Sequence, residues 1–303
     1  MKKYITYSLL ISAAIIFYSC GSDLNEKGSA KYISEIQEWH SKRIENLKKE
    51  NGWLNLVGLY WLKQGENKFG TGKTNDIVFP EGKAPSFIGS LFLKDSIVTI
   101  KVNEGVEVKS NGERVDSLEL KNDTQRGVTV LELGSLRWFI IKRGEKYGVR
   151  LRDLDSELLK TFQGVETFPI NSDWKFEAKL ETYNPPKKVE VPNVLDMVDT
   201  AVVSAALTFE KDGVVYKLDP LDEGKQYFII FADETSGSET YGAGRFLSVD
   251  KADSTGKIYI DFNKAYNPPC AFTKFATCPL PPKQNHLKLK ITAGEKAFHG
   301  SGH

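Results

Sequence analysis

Apolar residues recur at two spacings along this chain. Between Lys31 and Lys49, Ile33, Ile36, Trp39, Ile44 and Leu47 stand three to five residues apart. That spacing lines one face of an amphipathic helix, and Asn51-Gly52 is a stop signal. The aromatic-rich run from Trp53 to Leu62 then reads as a strand or a short buried segment. From Phe87 the period falls to two. Strands are expected at Ile97 to Val102, Val106 to Val108, Val115 to Leu120, Val128 to Leu133, Leu136 to Ile141 and Tyr147 to Leu151. Asn103-Glu104-Gly105, Asn111-Gly112, Leu133-Gly134-Ser135 and Arg143-Gly144-Glu145 supply the turns. Short strands at this spacing predict a sandwich or a barrel.

A second strand-rich unit is expected after Phe168-Pro169. Trp174, Phe176, Ala178 and Leu180 alternate with charged residues, as on a half-buried strand, until Asn184-Pro185-Pro186 breaks the pattern. Further strands are expected at Val202 to Phe209, Val214 to Leu218, Tyr227 to Phe231, Phe246 to Val249, Ile258 to Phe262 and Leu287 to Ile291. Asp212-Gly213 is a hairpin signal. The expected fold is mostly β: an N-terminal helix with a sandwich over 31–168, and a second sandwich or barrel-like unit over 169–303.

The start of the chain has a different character. Lys2 and Lys3 precede a short apolar stretch from Ile5 to Phe17, and Ser19-Cys20-Gly21 follows. This is the pattern of a lipoprotein signal peptide over 1–20, with Cys20 as the lipidation site. Several acyl chains on that cysteine would hold the protein on a membrane where one would be marginal. Residues 21–30, small and polar, are expected to be a tether. The expected location is the cell envelope, on the outer membrane, with the face left open.

Composition narrows the function classes. Of 303 residues 40% are hydrophobic, ample for a core, and the formal net charge is +1. No basic excess or stripe marks a nucleic-acid binder. Three cysteines do not make a disulfide scaffold.

The densest chemistry lies between Thr240 and Glu295. Prolines at 268, 269, 279, 281 and 282 deny this stretch regular structure, so it must be an ordered loop. Arg245, Asp261, Asn263, Tyr266, Asn267 and Glu295 are the candidate residues, expected to converge around Pro268-Pro269-Cys270. They would either line a pocket for a small polar ligand or tie the loop to its own backbone. Cys270 and Cys278 are readable as a disulfide, as two buried thiols, or as half of a metal site that lacks histidines. His286 is the one base near them in sequence. His299 and His303, with glycines between, read as a frayed tail. No nucleophile elbow, P-loop, dinucleotide fingerprint or zincin motif is present, and no cofactor or metal is indicated. Three readings of function remain: a binding or scaffold module for a small polar ligand or protein partner, a hydrolase-like enzyme using Arg245, Asp261 and Glu295, or a structural envelope lipoprotein.

Several runs resemble a known family. They are Gly52 to Leu62, Gly65-Glu66-Asn67, Asn75-Asp76-Ile77, Thr240 to Arg245, Asp261 to Cys270, Cys278 to Pro282, and Ala293-Gly294-Glu295. Together they are similar to the bacterial and archaeal family of domain of unknown function 1684. The resemblance implies no activity. It includes chains without a secretion signal, which implies that the two cysteines need not be bonded. Within the first unit, Phe69 to Pro80, Asn111 to Val115 and Leu131 to Gly134 resemble a forkhead-associated domain. That resemblance implies a β-sandwich that binds phosphothreonine through an arginine and a serine. Here Thr71 stands in the arginine's place and no Ser-Arg-x-His segment is found, so the guanidinium contact is missing.

Overall fold

A computed structural model of the protein describes residues 26–300. Cys20, the rest of the expected signal peptide and His303 lie outside the described residues. Helix α1 runs over Ala30–Lys48, with Ser29 as its cap: its hydroxyl accepts from the backbone N–H of Tyr32. The described part of the expected tether is docked rather than free. Lys27 N–H bonds the Ile170 carbonyl at 2.8 Å, Ser172 N–H bonds the Lys27 carbonyl at 2.8 Å, and the Lys27 ammonium pairs with Asp173.

The first unit holds β1 (Leu56–Trp61), β2 (Gly65–Gly70), β3 (Ile77–Val78), β4 (Gly89–Lys94), β5 (Ile97–Val102), β6 (Lys109–Ser110), β7 (Glu113–Arg114), β8 (Ser117–Leu120), β9 (Leu131–Leu133), β10 (Leu136–Arg143) and β11 (Lys146–Asp153). They form two sheets, β1-β11-β10-β9-β6-β7 and β3-β2-β4-β5-β8, antiparallel except for the β2–β3 pair. One core joins both sheets. Phe69 and Phe79 meet Trp138 edge-on at 5.9 and 5.7 Å between ring centroids, among Leu91, Ile100 and Val149. The expected strand over Val106 to Val108 is irregular backbone. Its valines are buried, but Val106 N–H turns back to the Asn103 carbonyl. Thr71 is spent on a loop, its hydroxyl donating to the Ala84 carbonyl at 3.1 Å.

After the short helix α2 (Glu157–Thr161) come β12 (Lys175–Pro192), β13 (Val198–Lys211), β14 (Val214–Leu218), β15 (Leu221–Asp222), β16 (Gln226–Phe231), β17 (Arg245–Asp250) and β18 (Ile258–Asp261). The sheets β14-β13-β12-β18 and β15-β16-β17 share a core containing Leu207, Phe209, Phe231, Leu247, Ile260 and Phe262. Both sheets are open, so the barrel alternative is not what forms. Two expectations fail here. Pro185 and Pro186 do not end β12, which passes them in a bulge between the pairs Thr182–Ala205 and Lys187–Val203. Prolines donate no ladder bond and are accommodated where pairing lapses. Leu287 to Ile291 is not a strand. Leu287 N–H is bonded to the Ala232 carbonyl and Ile291 N–H to the Asp233 carboxylate, so its buried apolar residues anchor a loop.

Helix α1 packs on the second unit and on the Trp53 segment. Leu47 and Leu54 are buried with Phe162, Ala271 and Phe272. Tyr32, His40 and Arg43 reach the proline-rich loop region from the helix.

Candidate functional site

The strand β18 ends at Asp261 because its carboxylate caps the 3-10 turn Phe262–Lys264, accepting from Asn263 N–H at 3.1 Å. The Tyr32 hydroxyl sits between both carboxylate oxygens at 3.0 Å. Asn263 Nδ2 donates to Tyr32 Oη at 2.9 Å and to the Asn171 carbonyl at 2.9 Å, and Asn263 Oδ1 accepts from Asn171 N–H. Burial first, and the adjacent Asp261 second, push the Tyr32 phenol far up, so it remains a donor.

A second knot forms one step along the chain. Glu295, 1% exposed, accepts from Arg43 Nε at 3.3 Å and from Asn267 N–H at 2.7 Å. Arg43 Nη2 donates to the Asn267 carbonyl at 2.9 Å, and the guanidinium lies 4.6 Å from the centroid of the Tyr266 ring. Asn267 Nδ2 donates to the Lys296 carbonyl, while its Oδ1 is buried without a partner. Burial raises the Glu295 carboxyl, against the pull of Arg43 and Asn267. Half-buried His40, on the same helix, is held down to about 4 by burial, with Arg43 adding to the effect and a backbone hydrogen bond to Asn263 opposing it.

Arg245 is 0% exposed. Its carboxylate partner is Asp233 at 3.3 Å, not Asp261, and its other bonds go to the carbonyls of Ile291, Ala293 and Glu295. These carbonyls converge because Gly294 has φ +77°. A Cβ there would stand 2.5 Å from the Ala265 carbonyl oxygen. Cys270 and Cys278 are joined by a disulfide that closes the proline loop, with Cα atoms 6.1 Å apart. His286 meets the Pro281 carbonyl rather than a thiol.

The six candidates therefore form three linked knots: Asp261 with Asn263, Tyr266 and Asn267 with Glu295, and Arg245 attached through the Glu295 carbonyl. Their polar groups are mostly spent on one another and on backbone. Asp261 also lines a cavity of about 180 Å³ with Lys175, Lys251, Lys257 and Lys264. Sequence reasoning missed Tyr32, His40, Arg43 and Asp233, which supply half of these contacts. An Asp233-x-Thr235 turn next to a strand end was the available signal for Asp233. Nothing local pairs Tyr32 or Arg43 with residues more than 200 positions away.

It also missed a second cluster. Arg150 and Arg152, on one face of β11, are 4% and 7% exposed. Arg152 Nη1 donates to the Gly52 carbonyl and to Asn55 Oδ1, and Arg150 Nη2 donates to the Thr277 hydroxyl at 3.2 Å. Arg150 Nε is buried without a partner. Both guanidiniums lie just under 6 Å from the Trp53 ring centroid. Burial brings each down to about 10, which leaves both charged at neutral pH. The nearby carboxylates are engaged elsewhere: Glu50 and Glu132 with Arg137, and Asp123 with Arg143. No local signal marks them: the alternation Val149-Arg150-Leu151-Arg152 in a central strand reads as one buried and one solvated face.

A family model described as protein of unknown function (DUF1684) matches residues 160–296. A solution structure of the uncharacterised protein from locus rrnAC0354 of Haloarcula marismortui is similar at 32% identity. The match covers 46% of this chain and 80% of that one, with a TM-score of 0.38. The chain belongs to this family of unknown function. The forkhead-associated domain of FhaA, solved with the intracellular domain of Rv3910, is similar at 14% identity over 31% of this chain and 97% of that one, with a TM-score of 0.23. Mycobacterium tuberculosis EmbR, solved with a low-affinity phosphopeptide, is similar at 10% identity over 41% of this chain and 31% of that one, with a TM-score of 0.22. No curated protein matches the chain.

Proposed function

We propose that this protein is a lipid-anchored binding module of the cell envelope, attached through Cys20, that holds a small anionic ligand where β10 and β11 meet the Trp53 segment. The observation that carries the ligand reading is the buried pair Arg150 and Arg152, whose hydrogen-bond partners are all neutral. Burying a cation with no carboxylate hydrogen-bonded to it costs several kcal/mol by order of magnitude, and an anionic ligand is the natural offset. The hydrolase alternative is less well supported. Arg245 and Glu295 are closed off from solvent and bonded to protein groups, which leaves little for a substrate.

Two measurements test this reading. Cys20→Ala should move the protein from the membrane fraction to a soluble fraction, or leave an unprocessed precursor of higher mass; a processed, mature-sized protein that stays in the membrane fraction would refute the anchor. A thermal-shift screen of carboxylates and phosphates should raise the melting temperature through binding to the native state. A screen in which no anion stabilises the protein leaves the structural-lipoprotein reading in its place.

A further inference from the structure

The surroundings of Arg152 say more about the ligand than its charge. A cavity of about 500 Å³ opens beside it. Val128, Val130 and Phe139 supply its apolar wall, and Arg137 and Arg152 stand together on the neighbouring strands, paired in register across β10 and β11. Arg152 has Nη1 committed to protein acceptors, while Nε and Nη2 have none among the described residues. Arg137 is occupied by Glu50 and Glu132, and Glu50 also acts on Arg152 without pairing to it. Its side chain is 62% exposed, so it can turn to solvent when another carboxylate arrives. The volume falls in the range of small-molecule sites, which combine an apolar lining with a few fixed polar groups.

Resting on the anionic-ligand reading above, we infer that the ligand is an amphipathic carboxylate. Its carboxylate faces the free edge of Arg152 beside Arg137, and its hydrocarbon or aromatic tail lies on Val128, Val130 and Phe139. A planar guanidinium presents two parallel donors to a carboxylate, which a small inorganic anion would use without needing the apolar wall. The wall adds affinity in proportion to the apolar area it covers.

The test uses the full-length chain carrying Cys20→Ala, titrated calorimetrically with decanoate, acetate, inorganic phosphate and decanol. Decanoate should bind at least about ten-fold more tightly than any of the other three. Arg152→Met should weaken decanoate by about ten-fold or more, and Val130→Trp, which fills the cavity and leaves the arginines in place, should do the same. Val130→Trp also covers the case in which Arg152→Met fails to fold. Acetate or phosphate binding as tightly as decanoate, with loss in Arg152→Met, overturns the amphipathic ligand and leaves the anion reading standing. Decanol matching decanoate, with no effect of Arg152→Met, overturns both, as does no binding by any of the four.

Discussion

Arg43, on the N-terminal helix, and Glu295, near the end of the chain, form an ion pair at 3.3 Å with the carboxylate 1% exposed. This contact closes a loop of more than 250 residues and clamps α1 onto the proline-rich segment. Arg43 also bonds the Asn267 carbonyl and covers the Tyr266 ring, so one side chain ties the Tyr266-Asn267 segment to Glu295.

Removing one member of such a pair is expected to be far worse than removing both. Arg43→Met leaves a buried carboxylate with only the Asn267 N–H, and should cost about 3–5 kcal/mol. Glu295→Gln keeps an acceptor for Asn267 and removes the charge, and should cost less. The double variant should recover part of the Arg43→Met loss. Urea denaturation of the two single variants and the double variant measures this coupling; strict additivity would show that the pair is not a unit.

Asp261→Asn is the second prediction. The carboxylate caps a turn and accepts from Tyr32, and an amide oxygen can replace only part of that. The expected loss is about 1–3 kcal/mol, read as a lower melting temperature. Tyr32→Phe should cost a similar amount, and the pair should be strongly non-additive because both act on one hydrogen-bonded knot. If Asp261→Asn left the melting temperature unchanged, the stapling role of the knot would be lost.

The parts of this fold legible in the sequence are those decided by neighbours. Ile97–Val102 is legible because the alternation of Val98, Ile100 and Val102 with Thr99 and Lys101, and the turn residues that follow, act locally. The β13–β14 hairpin was legible for the same reason: Asp212 and Gly213 both take positive φ, as a two-residue hairpin turn requires. The short β6 and β7 were blurred because their residues pair over one or two positions only. Leu287 to Ile291 shows the converse case. Its apolar spacing fits a strand, but its N–H groups find Ala232 and Asp233 instead of a neighbouring strand.

The candidate site was legible by residue type and not by partner. Asp261 and Asn263 stand side by side because both belong to a single capped turn at the end of β18, not because they share a strand face. Their third member, Tyr32, is 229 positions away, and no spacing rule reaches that far. Arg150 and Arg152 were hidden by their own pattern. Alternation with Val149 and Leu151 implies a wet face, and only the packing of the Trp53 segment and Thr277 over β11 makes that face dry.

Arg150 gives the third prediction. It is buried, charged, and carries one nitrogen without a partner. Replacing a buried ion pair by well-packed apolar residues is often neutral or stabilising, by about 1–4 kcal/mol, and a buried ion with no directly paired carboxylate has still less to lose. Arg150→Met should therefore hold or raise the melting temperature of the ligand-free protein. A loss of more than about 2 kcal/mol in denaturant titration would mean that Arg150 is needed for folding itself. A gain would mark it as a residue kept at the expense of stability, as residues at binding sites commonly are.

The last prediction concerns acid. His40 has its pKa held down to about 4, mainly by burial. The unfolded chain would take up its proton near pH 6.5. Between these values the unfolded state binds more protons, so stability rises with pH across the window. The contribution is complete above about pH 6.5, where both states are neutral, and is lost as pH falls toward 4. For a shift of this size it is on the order of 3 kcal/mol. Glu295 works in the opposite direction, because burial raises its pKa in the folded state. Its contribution is present below the ordinary carboxylate pKa and is lost as pH rises through the folded value. The two effects oppose one another just above pH 4.5, so the wild-type profile alone cannot separate them. His40→Gln isolates the histidine: its stability should fall less than wild type between pH 6.5 and 4.5, whatever its absolute value at neutral pH. Parallel wild-type and His40→Gln profiles in urea titrations across that window would show that His40 is not the group that titrates.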